Sequence, residues 1–327
     1  VAELRKDWLT GRTVILAENR ANRPNEFAIG ADGSGISSAA GGAVCPFCPG
    51  QESLTPPAVY EQADGDGRWR VRVVPNKYPA LTLEADTPAA AAAALGAHEV
   101  VVESARHVDR VSDLSPAEFA HVLEAYAARL GHWHDDGRFE FGLVFKNRGP
   151  IAGATLAHLH SQLVALPALP PKVAAEFERA EQSFRGHRNC PYCRLIEDER
   201  TAGERVVLER DGLIAFCPLA SLQPYEVWLL PTAHEPWFER WWSAGEAGER
   251  LAATLHLLVA RLEAIVPASA YNLLLRTAPW RESALRCGHW RIEVLPRTNS
   301  LAGLELATGI HINPLSPAHA AERLRSG

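Results

Sequence analysis

Short runs of apolar residues alternate with polar ones at period two along this chain, and they recur twice in the same order. Such alternation places every second side chain on one face of a strand. It predicts strands at "RWRVRVVPN" (68–76), "HEVVVES" (98–104), "EFGLVFKN" (140–147) and in the run entered at His158. A second series follows at "RVVLERDGLIAFCP" (205–218), "YEVWLLP" (225–231), "YNLLLRT" (271–277) and "HWRIEVLP" (289–296). Each series is interrupted once by a helical pattern. The first starts at the cap signal "DLSPAEF" (113–119), and the second spans roughly 246–265 with apolar positions at helical period. The tail "SPAHAAERLRSG" reads as a short amphipathic helix. Two series in one order imply internal duplication. The expected fold is α+β, with similar halves over 1–170 and 171–327. Each half would have antiparallel strands under a covering helix, the two joined into one sheet or barrel.

The duplication extends to chemistry-bearing residues. "CPFC" (45–48) precedes the first series and "CPYC" (190–193) the second. A CxxC pair offers two thiolates to one tetrahedral ion, which needs two further ligands. In both series one histidine follows a strand, His107 or His234, and another enters the last strand, His158 or His289. The implied ligand sets are Cys45, Cys48, His107 and His158, and Cys190, Cys193, His234 and His289. Each is a closed Cys2His2 tetrahedron, a structural site with no open position, suited to zinc, with iron the alternative in one. Cys217 and Cys287 read as small buried hydrophobes. Apart from His160, the remaining histidines, His98 among them, have no echo and read as ordinary surface or core residues. Trp237, Trp241 and Trp242 in "PWFERWW" are assigned to core and interface packing.

Charge narrows the function. The 327 residues carry 39 acidic and 33 basic side chains, a net charge of −6, which argues against a general nucleic-acid binder. The opening "VAELRKDWLTGR" is charged where an apolar export segment would sit, and no run is long and apolar enough to span a membrane. A cytoplasmic protein without membrane partners is expected, its cysteines thiols or metal ligands.

In "GATLAHLHSQLVALP" (153–167), His158, His160 and Gln162 fall at alternate positions. His158 has a counterpart in the second series, His289, but where His160 would recur the chain has Arg291. A shared residue suits a shared structural task; an unshared one suits chemistry, which needs a single copy. A neutral imidazole can attack phosphorus and form a phosphoramidate that passes its group onward. The loop "KNRGPIAGAT" (146–155) and Gln162 offer donors for the phosphoryl oxygens.

These residues carry a family resemblance. "RKDWLTGRTVILAENRANRP", "CPFCPG", "WRVRVVPNKYPAL", "HEVVVES", "NRGPIAGATLAHLHSQ" and "HWRIEVLPR" followed by "AGLELATG" stand in one order. In them the chain resembles, nearly end to end, the galactose-1-phosphate uridylyltransferase family of the histidine-triad superfamily. The resemblance implies a homodimeric nucleotidyltransferase with composite active sites, acting on a nucleoside diphosphate sugar and a sugar-1-phosphate. It implies His160 as nucleophile, Gln162 as its phosphate-binding partner, and Asn147, Gly153 and Thr155 along the diphosphate. Asn76 would contact the nucleoside, Arg20 and Arg23 a sugar phosphate across the dimer, and Glu305 the hexose hydroxyls. The nominal activity is UDP-glucose:galactose-1-phosphate uridylyltransfer, with phosphorolysis of ADP-glucose as the alternative; a nucleotide hydrolase and a non-catalytic zinc module are more distant ones. Three departures bear on this. Leu159 replaces the family's usual proline between the histidines. Asn299 and Ser300 stand where several members carry a phosphate-binding lysine, which members using inorganic phosphate also lack. Lys77 follows Asn76 where some uridylyltransferases have an acid.

Overall fold

A computed structural model describes residues 2–22, 44–84, 94–242, 247–266, 270–298 and 301–326. The chain opens on a hairpin, Glu3–Lys6 (β1) and Thr13–Leu16 (β2). Tyr60–Ala63 (β3), Trp69–Pro75 (β4) and Ala97–Val102 (β5) then lead to the helix Pro116–Asp136 (α1). Phe141–Arg148 (β6) and His160–Leu166 (β7) follow. Two helices, Pro171–His187 (α2) and Pro191–Ala202 (α3), precede Val206–Arg210 (β8), Leu213–Phe216 (β9) and Val227–Pro231 (β10). Phe238–Trp242 (α4) and Ala247–Ile265 (α5) lead to Tyr271–Arg276 (β11), Ala284–Cys287 (α6) and Arg291–Pro296 (β12). Gly303–Thr308 (α7), His311–Asn313 (β13) and Pro317–Ser326 (α8) complete the described chain.

Local chemistry accounts for several boundaries. Ser115 accepts the Glu118 N–H while Glu118 accepts the Ser115 N–H, a capping box that starts α1 beside Pro116. Gly137, at φ 75°, ends it in the left-handed conformation. "RVVLERDGLIAFCP" divides into β8 and β9 because Asp211 and Gly212 both adopt positive φ, as a tight hairpin turn requires. "CPYC" opens a helix: Cys190 stands at the N-cap position of α3 and Pro191 begins it.

Ten of the described strands form one sheet, in the order β3-β4-β5-β7-β6-β11-β12-β10-β9-β8, every pairing antiparallel. The order is palindromic: β3 to β7 on one side are mirrored by β8 to β12 on the other, joined where β6 pairs with β11. The α+β architecture with a large antiparallel sheet is as expected. Unforeseen is a small sheet in which β13 runs parallel to β2, beside β1.

The inner face of the large sheet packs on α1 and α5. Phe119, Leu123 and Leu130 of α1 and Leu251, Leu255 and Leu262 of α5 meet Val101, Leu163, Leu273 and Val294 in one continuous core. Among the described residues, helices cover the outer face on one side only. There α2, α3 and the first hairpin lay Phe177, Ile196 and Leu9 over Phe216, Trp228 and Leu230. Trp241 and Trp242 pack against the inner core and Trp237 against the outer cluster, while Cys217 and Cys287 are buried, all as assigned from sequence. Among the described residues no helix is long and apolar enough to cross a membrane.

Candidate active site and metal centres

On the outer face of β4, β5 and β7 lies a cavity of about 300 Å³. Strand alternation aims His160 and Gln162 outward into it while Ser161 and Leu163 point into the core. Phe47, Leu54, Val74 and Val100 give it apolar walls, and Asn76, Lys77, Tyr78 and Thr155 line its polar side. It combines an apolar slot with a few convergent polar groups, the usual make-up of a small-molecule site.

His160 Nδ1 donates to the His158 carbonyl at 2.7 Å, which fixes the tautomer and leaves the Nε2 lone pair free. Burial, with the Lys146 cation behind it, pushes His160 below the ordinary histidine value, so the ring is neutral at pH 7. Under the histidine lies a buried polar network. Lys146 donates from Nζ to Glu103 at 2.6 Å and to the His160 carbonyl at 3.2 Å. Tyr126 donates to the other Glu103 oxygen at 2.6 Å and accepts from Ser161 at 2.8 Å. The strand entry is thus held from below by an ion pair nearly sealed from solvent.

Asn147 is positioned by Asn272, whose Nδ2 donates to its Oδ1 at 2.8 Å across the β6–β11 seam. The loop after β6 turns at Gly149 (φ 81°) and Gly153 (φ 96°), both in the left-handed region that glycine enters without strain. A Cβ on Gly153 would sit 3.5 Å from Asn147 Nδ2. Leu159, in the family's proline position, fits by two contacts. Its side chain joins the core, and its N–H donates to the Val108 carbonyl at 2.8 Å, a bond proline cannot make.

His158 precedes β7 rather than lying within it, and its ring turns away from the cavity. Its Nδ1 is 3.6 Å from both Cys45 Sγ and Cys48 Sγ, and His107 Nδ1 is 3.3 Å from Cys48 Sγ. The other His158 nitrogen donates to the Ser104 carbonyl at 2.8 Å. The second group matches it. His289 Nε2 donates to the Pro231 carbonyl at 2.9 Å and His234 Nε2 to the Leu285 carbonyl at 3.0 Å. In each group the four potential ligand atoms lie within 4.8 Å of one another. His289 Nδ1 is buried without a hydrogen-bond partner, an orphan that a metal ion would satisfy. A hydrogen bond from Cys190, with His234 and His289 nearby, favours Cys193 as the thiolate. The donor sets fit a metal, with carbonyl-anchored imidazoles of the kind that orient metal ligands.

Not every expected residue reaches the cavity. Arg20 sits exposed after β2, and Glu305 caps α7 by accepting the Ala302 N–H at 3.1 Å. Both flank the small sheet, and neither lines the cavity. Arg23, Asn299 and Ser300 lie outside the described residues. Conversely, sequence reasoning passed over His98, which donates from Nε2 to Gln162 Oε1 at 2.8 Å, as it did Lys146 and Glu103.

Residues 67–326 match the family described as a domain of unknown function (DUF4921). An ADP-glucose phosphorylase of Arabidopsis thaliana is 30% identical over 99% of this chain and 92% of its own. The chain belongs to the galactose-1-phosphate uridylyltransferase family. That family includes ADP-glucose phosphorylase-like members, and this member is an enzyme of the nucleotidyltransferase type. The galactose-1-phosphate uridylyltransferase of Thermotoga maritima is 25% identical over 86% of this chain and 88% of its own. Among solved structures, an Arabidopsis thaliana ADP-glucose phosphorylase with bound ADP-glucose superposes with a TM-score of 0.85, covering 100% of this chain and 99% of that one.

Proposed function

We infer that this enzyme transfers a nucleoside monophosphate from a nucleoside diphosphate sugar through a covalent intermediate on His160, with ADP-glucose as donor and inorganic phosphate as acceptor. The observation that carries the covalent route is the geometry of His160: Nδ1 committed to the His158 carbonyl, Nε2 free at the cavity wall beside Gln162. Nε2 attacks the α-phosphorus, and the bond from that phosphorus to the bridging oxygen breaks, its electrons leaving with glucose-1-phosphate. A phosphate oxygen then attacks the same phosphorus, the P–N bond breaks, and ADP departs. The developing positive charge on the ring is met by the carbonyl at Nδ1, and the phosphoryl oxygens by the Gln162 amide and the loop of Asn147, Gly153 and Thr155. The apolar slot of Phe47, Leu54 and Val100, with Asn76, would receive the nucleoside.

Full-length similarity to an ADP-glucose phosphorylase supports placing the adenylyl reading first. Uridylyl transfer to a hexose-1-phosphate, the nominal reading from sequence, stands second on the strength of the uridylyltransferase relatives. Zinc in both Cys/His groups fits the donor atoms; bound there, it would cross-link distant segments without entering the reaction. A cytoplasmic setting, which keeps such thiols reduced, suits both groups. A homodimer in which a second copy brings Arg20 and Glu305 to the acceptor accords with neither residue lining the cavity of its own chain. The palindromic strand order supports two duplicated units over 1–170 and 171–327.

Intact mass after incubation with ADP-glucose or UDP-glucose, beside His160→Ala, tests this. A gain of one nucleoside monophosphate that the variant lacks is expected, and the donor producing it names the base. No adduct from either donor in metal-replete protein would overturn the covalent route.

A further inference from the structure

An amide side chain offers two faces to a substrate, and the two have opposite signs. Gln162 can present its NH2, two donors, or its oxygen, an acceptor. Only the first orientation helps a phosphoryl group carrying negative charge; the second repels it. Nothing within the glutamine itself decides between them, so the choice lies with its neighbours.

His98 sits on β5, whose residues pair with β7 (Val100 opposite Gln162), and its ring lies beside the amide. Its Nδ1 accepts the backbone N–H of Ala80 at 3.0 Å. An imidazole nitrogen that accepts carries no proton, so the proton of the neutral ring is on Nε2. Nε2 therefore donates, and its partner 2.8 Å away is Gln162 Oε1. Asn76 Nδ2 lies 3.1 Å from that same Nε2 and 3.5 Å from Gln162 Oε1. Since Nδ2 and Nε2 are both donors, only the oxygen can receive the Asn76 bond. Asn76 is itself oriented, its Oδ1 accepting the Tyr78 N–H at 2.9 Å. Two donors, each locked by a backbone amide of the segment after β4, converge on one oxygen.

We propose that His98 is a positioning residue for nucleotidyl transfer. It pins Gln162 Oε1 so that the Gln162 NH2 faces the phosphoryl group at His160. This rests on the reading of His160 as nucleophile. The information runs from the Ala80 N–H through the imidazole tautomer to the glutamine amide, with His98 touching no reacting atom. The expected signature is a loss in the chemical step rather than in substrate capture.

The test is the rate of His160 nucleotidylation by ADP-glucose, followed by quenched-flow intact mass as a function of donor concentration. UDP-glucose serves if the wild-type adduct forms only from it. His98→Leu removes the donor and should slow the maximal rate about tenfold, the order of one net hydrogen bond, with half-saturation changed less than about twofold. His98→Gln restores an N–H donor of similar reach and should recover most of the rate. In a Gln162→Ala background, His98→Leu should cause no further loss, because its target is gone. A full additional loss in that background, or a loss lying in half-saturation, would overturn the proposal and leave His98 a wall of the pocket. Melting temperatures of all variants separate misfolding from misorientation, and His98→Ala, which also removes the donor, carries the test if His98→Leu fails to fold. His160→Ala stands alongside. An adduct persisting there would sink the nucleophile assignment itself, whereas its absence with additive His98 effects would sink only the present inference.

Discussion

The outer face of the sheet beside β5, β7 and β6 and the face beside β10, β12 and β11 start from one strand arrangement and meet opposite fates. His158 and His289 occupy like positions and face like Cys/His groups. Two residues on, the first side has His160 and the second Arg291; two further, Gln162 and Glu293. On the first side these residues border an open cavity. On the second, Arg291 is 2% exposed beneath α2, α3 and the first hairpin. Its guanidinium pairs with Glu176 and Glu293, Arg276 reaches the same two carboxylates, and Arg12 bridges Glu226 at 2.6 Å and Glu293 at 2.7 Å. Three guanidiniums thus face three carboxylates, in a place where the other side keeps a hole. A scaffold used twice lets one copy be filled for cohesion while the other stays open for chemistry.

That contrast breaks most sharply at the two non-equivalent residues. His160→Ala should reduce turnover at least about 10⁴-fold, the scale of losing a covalent nucleophile, with an unchanged melting temperature. Activity within tenfold of wild type would contradict the division of labour. Arg291→Leu should do the reverse. Glu176 and Glu293 would lose a buried partner, lowering unfolding free energy by about 3–5 kcal/mol in urea titrations, while turnover per folded molecule stays within about twofold. A stable but inactive Arg291→Leu would show that the covered side takes part in the reaction.

The two Cys/His groups sharpen the comparison at smaller scale. Cys193→Ser, beside buried Cys190 and Tyr192, should lower stability by about 3 kcal/mol, what a metal present at a few hundred times its Kd contributes. Cys48→Ser should act mainly on substrate. Phe47 lies inside the same CxxC loop, its ring 5.4 Å from that of His160, so releasing the loop should raise KM about tenfold, a loss of about 1.4 kcal/mol in binding. Equal effects of both variants on Tm and KM would remove the distinction.

The narrowest effect appears only in acid. Burial alone would raise Glu293, but Arg276, Arg12 and Arg291 outweigh it and hold the carboxyl well below the usual carboxylate range. Its contribution is complete above pH 4.5, the ordinary value, and is lost as pH falls toward the depressed folded value. Glu293→Gln should therefore flatten the acid limb of the stability curve below pH 4.5 relative to wild type. An unchanged acid limb would place the acid sensitivity elsewhere.

How legible all this was depended on whether a residue's partner was close in sequence or repeated in pattern. The strands, α1 with its Ser115 cap, and α5 could be read because alternation and capping are local. The two Cys/His groups were legible across about a hundred residues because the same pattern appears twice in the chain. His98, Glu103 and Lys146 were not. Each is an ordinary residue in a strand or, for Glu103, just past one, and only the pairing of β5 with β7 and of β7 with β6 assembles them around His160. The β2–β13 contact was equally hidden, since neither three- or four-residue strand carries a sign of its partner. Arg12 looked like any N-terminal arginine until the hairpin placed it over Trp228, 5.0 Å from the ring.

The seam between β6 and β11 has a consequence for how the chain is made. Six residue pairs join there, from Tyr271–Arg148 to Arg276–Leu143, and α1 and α5 share one core behind them. On a ribosome β6 emerges long before β11, and until then it presents a raw edge of unpaired amides, the kind that recruits foreign strands. A nascent chain carrying β3 to β7 thus has His160 in sequence while the β6 edge waits for β11 to close it. Until the other side is translated, the half-made sheet therefore ends in an edge that a foreign strand could occupy in place of β11.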